Sequence, residues 1–132
     1  MKKTDVLAKL KEFPYDPHEY WVVAGAAMVV YGIREECSDI DLGCSKKLAD
    51  ELEAEGYLYK TSSDGNRCFR INDDIEIFEN WLRDSITHVE GIPVVTLNGL
   101  IEMKQELGRD KDLRDIRLIL AYMQRELTGD QQ

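Results

Sequence analysis

Residues Trp21 to Ser45 read WVVAGAAMVVYGIREECSDIDLGCS, and the fold turns on how this stretch is parsed. An apolar run, Trp21-Val22-Val23-Ala24, ends at Gly25. A small-residue and apolar segment follows from Ala26 to Tyr31, and a charged loop leads to Ser38-Asp39-Ile40-Asp41-Leu42. With residues 39–43 as a strand, the two-residue period puts Asp39 and Asp41 on one face and Ile40 and Leu42 on the other. Two ionised carboxylates that close together repel, and ordinary packing gives no reason to align them. A divalent cation does: Mg²⁺ is held by carboxylate oxygens and completes its octahedron with water and phosphate oxygens. The pattern therefore points to a metal-phosphate site. An EF-hand reading fails, because Gly43 and Cys44 stand at the fifth and sixth loop positions, where a ligand and a glycine are needed.

The flanking segments read as alternating helices and strands. Thr4 is the expected N-cap of a first helix carrying Val6, Leu7, Leu10 and Phe13, which Pro14 and Pro17 stop. Tyr20–Ala24 is too apolar for an exposed edge and belongs in the middle of a sheet, with Gly25 opening a buried helix over residues 26–32. Ser45 caps a helix over residues 46–55 with Leu48 and Leu52 inward and Gly56 as its left-handed stop. Residues 57–60 and 67–71 form a hairpin, residues 74–78 a further strand, and 93–95 a last one. Thr96 caps a helix that buries Leu97, Leu100, Ile101 and Leu107 and ends near Gly108. Asp110 caps the final helix, with the stripe Leu113, Ile116, Leu120, Met123 and Leu127. This predicts an α+β fold, a mixed β-sheet with helices packed on it. Residues 1–127 make one domain and 128–132 a loose tail.

Composition narrows the function classes. The chain has 132 residues, 43% hydrophobic and 33% charged, as in ordinary globular proteins. No apolar run approaches the ~20 residues of a membrane span. Cys37, Cys44 and Cys68 lack metal or redox spacing, which suits a reducing, cytoplasmic setting. A net charge of −9 argues against non-specific nucleic-acid binding.

The arrangement of apolar strand, Gly25, a small residue, a spacer and Asp39-Ile40-Asp41-Leu42 resembles the nucleotidyltransferase superfamily related to DNA polymerase beta. Twelve residues separate Ala26 from Asp39, which suits that family's spacer. Glu76, in Asp74-Ile75-Glu76-Ile77-Phe78, matches the third acid. The segment KQELGRDKDLRDI, Lys104 to Ile116, is similar to the closing helices of small members, including the abortive-infection toxin and lincosamide-modifying branches. The resemblance implies the nucleotidyltransferase fold, with Asp39, Asp41 and Glu76 as catalytic and metal-binding acids around Mg²⁺, two ions by expectation. It implies a nucleoside triphosphate such as ATP as donor, with the backbone at Gly25 and Ala26 cradling its phosphates. Arg34, Lys104, Arg109 and Lys111 are the expected phosphate or acceptor contacts. The acceptor is a hydroxyl on a small molecule, protein or RNA, and a chain this short is expected to complete the acceptor site with a second subunit or a partner protein.

Each assignment has a plainer rival. Asp39 and Asp41 fit a solvated strand end, Glu76 an exposed strand face, and Lys104 an ordinary surface charge. Lys111, Asp112 and Asp115 fit helix-cap and i,i+4 pairs. Ala26 stands where the family has glycine or serine, Glu76 replaces the commoner aspartate, and Glu35 and Glu36 add negative charge before the metal strand. These departures leave a second class open: a catalytically degenerate protein of the same fold, serving as a toxin–antitoxin partner or regulator.

Overall fold

The structure, a computed structural model, describes residues 1–129. In chain order its elements are α1 (Lys3–Glu12), β1 (Tyr20–Val23), α2 (Ala24–Tyr31), β2 (Ile40–Cys44), α3 (Lys46–Ala54), β3 (Tyr59–Thr61), β4 (Arg67–Arg70), β5 (Ile75–Glu79), β6 (Ile86–Val89), β7 (Ile92–Val95), α4 (Leu97–Leu107) and α5 (Asp110–Thr128). The strands form one seven-stranded mixed sheet in the order β3-β4-β5-β2-β1-β7-β6. β1 is buried along its whole length, as its apolar run requires, and lies between antiparallel β2 and parallel β7. β2 runs parallel to β5, so both begin at the end of the sheet where β1 stops. That shared end is where the Asp39–Asp41 segment lies.

The core is filled from β1, from α2, whose Ala26 through Val30 are all buried, and from the inward positions Ile40 and Leu42 of β2. The predicted caps at Ser45 and Thr96 are present: each side-chain oxygen accepts a hydrogen bond from the backbone three residues on, both at 3.2 Å. Gly108 ends α4 in the left-handed conformation.

Several expectations are corrected. Thr4 lies inside α1, whose N-cap is Lys2, because Asp5 accepts from the Lys2 backbone and closes the turn earlier. Arg109, not Asp110, is the N-cap of α5. The structure adds a strand to those expected: β6 pairs with β7 across a hairpin whose turn, Glu90-Gly91, takes positive φ at both residues. Leu107 is 45% exposed, and Leu113, Leu120 and Leu127 of the expected stripe are 46%, 51% and 84% exposed. The buried line of α5 runs instead through Asp112, Asp115 and Ile119, so the helix is rotated to bring two carboxylates inward. Of the expected loose tail, Thr128 closes α5 and Gly129 caps it in the left-handed conformation, while 130–132 lie outside the described residues. Among the described residues no helix is long and apolar enough to cross a membrane.

Candidate active site

Strand register brings the acids to one place. Val23, the last residue of β1, pairs with Asp41, and Asp41 pairs with Glu76. Asp39 precedes β2 by one residue and is exposed. Asp41 is half-buried, and its pKa is pushed up to about 6, first by burial and then by the charges of Glu76 and Asp39. Among the described residues no group of three His, Cys, Asp or Glu side chains stands ready to hold a metal ion. Glu76 instead leans toward its neighbours, its Oε1 3.7 Å from Arg70 Nη2 and its Oε2 3.8 Å from Cys68 Sγ. The donor chemistry still suits a hard divalent cation, since all three groups are carboxylates and crowding destabilises the ionised form of the middle one.

Beside the acids β1 gives way to α2. Val23, the N-cap, offers no side-chain hydrogen bond to the first turn, so the amide groups there have no side-chain cap. The helix opens at Ala24, not at Gly25, and Ala24 carries the left-handed φ of 57°. Gly25 serves a different end: a Cβ built there would lie 3.0 Å from Arg34 Nη1. Its missing side chain gives the guanidinium room against the first turn. Ala26 is 1% exposed and its methyl faces the core, so only its backbone remains on the site side.

A cavity of about 280 Å³ collects most of the predicted residues: Gly25, Arg34, Asp39, Asp41, Lys104, Arg109 and Lys111 all line it, while Ala26 and Glu76 do not. Lys104 is 5% exposed and therefore no ordinary surface charge. Its ammonium donates to Asp115 Oδ2 at 3.0 Å and lies 3.9 Å from Asp112 Oδ1. Asp115 also receives a hydrogen bond from Arg34, and Asp112 one from Arg109 Nε at 2.6 Å. Burial works to raise the pKa of Asp115, but hydrogen bonds from Arg34 and Lys104 outweigh it and hold the carboxyl below the usual range. For Asp112 the Arg109 side-chain hydrogen bond leads, with the same result. Asp112 and Asp115, read from sequence as cap and surface pairs, are thus buried anchors that fix three cations beside the acids. The signal that would have found them is the helical spacing of Asp112, Asp115 and Ile119 on one face. Glu35 and Glu36 are both exposed and line neither this cavity nor its neighbour, Glu36 being tied to Lys2 by a β-bridge.

Compared with known proteins, the chain matches no family model and no curated protein. It does match solved structures. TM1012 of Thermotoga maritima, solved as a proposed nucleotidyltransferase, aligns with a TM-score of 0.62 at 20% identity over 92% of this chain and 96% of that one. ANT(2″)-Ia, solved in complex with adenylyl-2″-tobramycin, aligns with a TM-score of 0.53 at 17% identity over 89% and 85%. The fold is a nucleotidyltransferase fold. Within it, the strand pair carrying Asp41 and Glu76 and the first turn of α2 adjoin at one end of the sheet.

Proposed function

We propose that this chain is a Mg²⁺-dependent nucleotidyltransferase that moves a nucleoside monophosphate from a nucleoside triphosphate to a hydroxyl acceptor. The observation that carries the reading is the juxtaposition of opposites: Asp39 and Asp41 share one cavity with Arg34, Lys104 and Arg109, at an uncapped helix N-terminus. A patch of acids alone repels a triphosphate, and a patch of bases alone does no phosphoryl chemistry. Together they suit a phosphate chain held at one end and activated at the other.

Asp39, Asp41 and Glu76 would hold the metal, which when bound neutralises charge on the α-phosphate and aligns it for in-line attack. Arg34 and Lys104, oriented by Asp115, bind the β- and γ-phosphates together with the first-turn amides of α2. Arg109 and Lys111 close the outer side of that cavity. Glu76, paired in register with Asp41, would complete the metal site or take the proton from the acceptor hydroxyl. Pyrophosphate leaves and the nucleoside monophosphate stays on the acceptor. That ANT(2″)-Ia was solved with an adenylylated product supports a hydroxyl acceptor here. The exposed placement of Glu35 and Glu36 removes one argument for a degenerate protein.

The test is transfer of label from α-labelled nucleoside triphosphates, with Mg²⁺, to small-molecule, protein and RNA acceptors. Transfer by the wild type that falls at least about a hundredfold in Asp39→Asn and Asp41→Asn supports the reading. Transfer that survives both substitutions ends it.

A further inference from the structure

A second cavity, of about 470 Å³, opens on the other side of Asp41. The sheet residues Asp41, Cys68 and Phe78 line it opposite Leu100, Met103 and Leu107 of α4, with Trp81 between. The two cavities share Ala24, Asp41, Lys104 and Arg109, and of the three candidate acids Asp41 alone borders both. Trp81 is held for display. The Trp21 indole lies over Gly43 and donates from Nε1 to the Trp81 carbonyl at 2.8 Å. A Cβ on Gly43 would sit 2.0 Å from that Nε1 and 2.6 Å from that carbonyl, so only glycine admits the clasp. The Trp81 ring packs edge-on against Phe78, centroids 5.0 Å apart, and remains half-exposed. Leu107, unexpectedly exposed on α4, borders the same space. Polar groups enter at the β3–β4 loop, from Ser62, Asp64 and Asn66.

We propose that this cavity seats the nucleoside of the donor nucleotide, with the base stacked on Trp81 and covered by Met103 and Leu107. The inference rests on the transferase reading above. With the triphosphate among Arg34, Lys104 and Arg109 and its α-phosphate at Asp41, the nucleoside on that phosphorus leaves through the shared wall into the second cavity. Trp81 and Phe78 offer a π-face, which every base can stack on, while Ser62, Asp64 and Asn66 offer polar partners at the rim. Purines, with the larger ring system, bind more tightly than pyrimidines.

The experiment is calorimetric titration of the whole chain, with Mg²⁺, by α,β-methylene-ATP and by inorganic tripolyphosphate. The wild type should bind the nucleotide at least about tenfold more tightly than tripolyphosphate, the scale of one stacked base. Trp81→Leu and the surface-tolerant Leu107→Ser should each erase most of that advantage and leave tripolyphosphate affinity unchanged. Equal wild-type affinities for the two ligands, or variants that weaken both alike or neither, overturn the proposal while leaving the phosphate site intact. Trp81→Leu that spares nucleotide affinity and raises acceptor KM also overturns it, giving the cavity to the acceptor. No binding of either ligand to the wild type overturns the transferase reading itself, and this proposal with it.

Discussion

At the residue scale, the β1–α2 junction separates two properties usually credited to one glycine. The positive φ belongs to Ala24, an L-residue in a conformation that costs roughly 1–2 kcal/mol. The space belongs to Gly25, whose missing Cβ leaves room for the Arg34 guanidinium. Two predictions follow from this division. Ala24→Gly relieves the strain and raises unfolding free energy by about 0.5–1 kcal/mol in urea denaturation. Gly25→Ala changes stability little, since helix propensity offsets crowding, but it shifts Arg34 and weakens nucleotide binding by about threefold to tenfold in the same titration. The spacing of Gly25 from Asp39 was legible in the chain; that its neighbour carries the strain was not, because φ depends on how β1 and α2 are fixed by their partners. Asp41 gives a pH prediction for metal-free protein. Its folded pKa, about 6, lies above the ordinary aspartate value, so its ionisation costs stability as pH rises from about 4 through 6. Asp41→Asn should therefore be more stable than the wild type at pH 7 in EDTA, by roughly 1–2 kcal/mol after discounting for solvent screening, and should lose that margin by pH 4.

At the scale of elements, helix faces decide the site. α5 presents Asp112 and Asp115 to α4 and the loop after α2, and its leucines at 113, 120 and 127 to the outside. A hydrophobicity pattern alone puts the leucines inward. The chain rotates the other way because Lys104 is buried on α4 and an unpartnered buried ammonium is costly, whereas exposed leucines are tolerable. Asp115→Ala leaves Lys104 and Arg34 without their shared carboxylate and should destabilise the fold by about 3 kcal/mol in chemical denaturation. Asp115→Asn keeps the shape and should instead raise the KM for nucleotide with a smaller change in kcat. On the other side of the sheet Arg67 ties β4 to β5 and α3: it bonds Glu79 at 2.8 Å, Asp50 at 2.8 Å and Glu53 at 2.8 Å. Glu79 is 6% exposed, so this cluster fixes the end of the larger cavity by a buried pair rather than by apolar packing.

At the scale of the whole molecule, a chain of net charge −9 gathers Arg34, Lys104, Arg109 and Lys111 around one cavity, where they balance Asp39, Asp41, Asp112 and Asp115. A balanced pocket of this kind suits a small anionic ligand that brings its own cation, and it offers no basic track to a long nucleic acid. A ligand that binds only the folded state stabilises by mass action: at about a hundred times Kd the gain is roughly 2.7 kcal/mol. Mg²⁺ with α,β-methylene-ATP should accordingly raise the wild-type melting temperature by several degrees and leave Asp41→Asn nearly unmoved, read by differential scanning fluorimetry. What the sequence determined by itself was local or periodic: the order of most elements, the buried first strand, the caps at Ser45 and Thr96, and the acid-apolar-acid strand after a glycine. These are set by alternation and by backbone groups a few residues apart, so they can be read along the chain. Tertiary structure alone decided which face of α5 turns inward, what the missing side chain of Gly25 makes room for, and how Trp21, Gly43 and Trp81 shape the larger cavity. In each of those cases the deciding atoms lie far apart in sequence, and only burial against a distant partner tells a paired charge or an admitted glycine from a surface one.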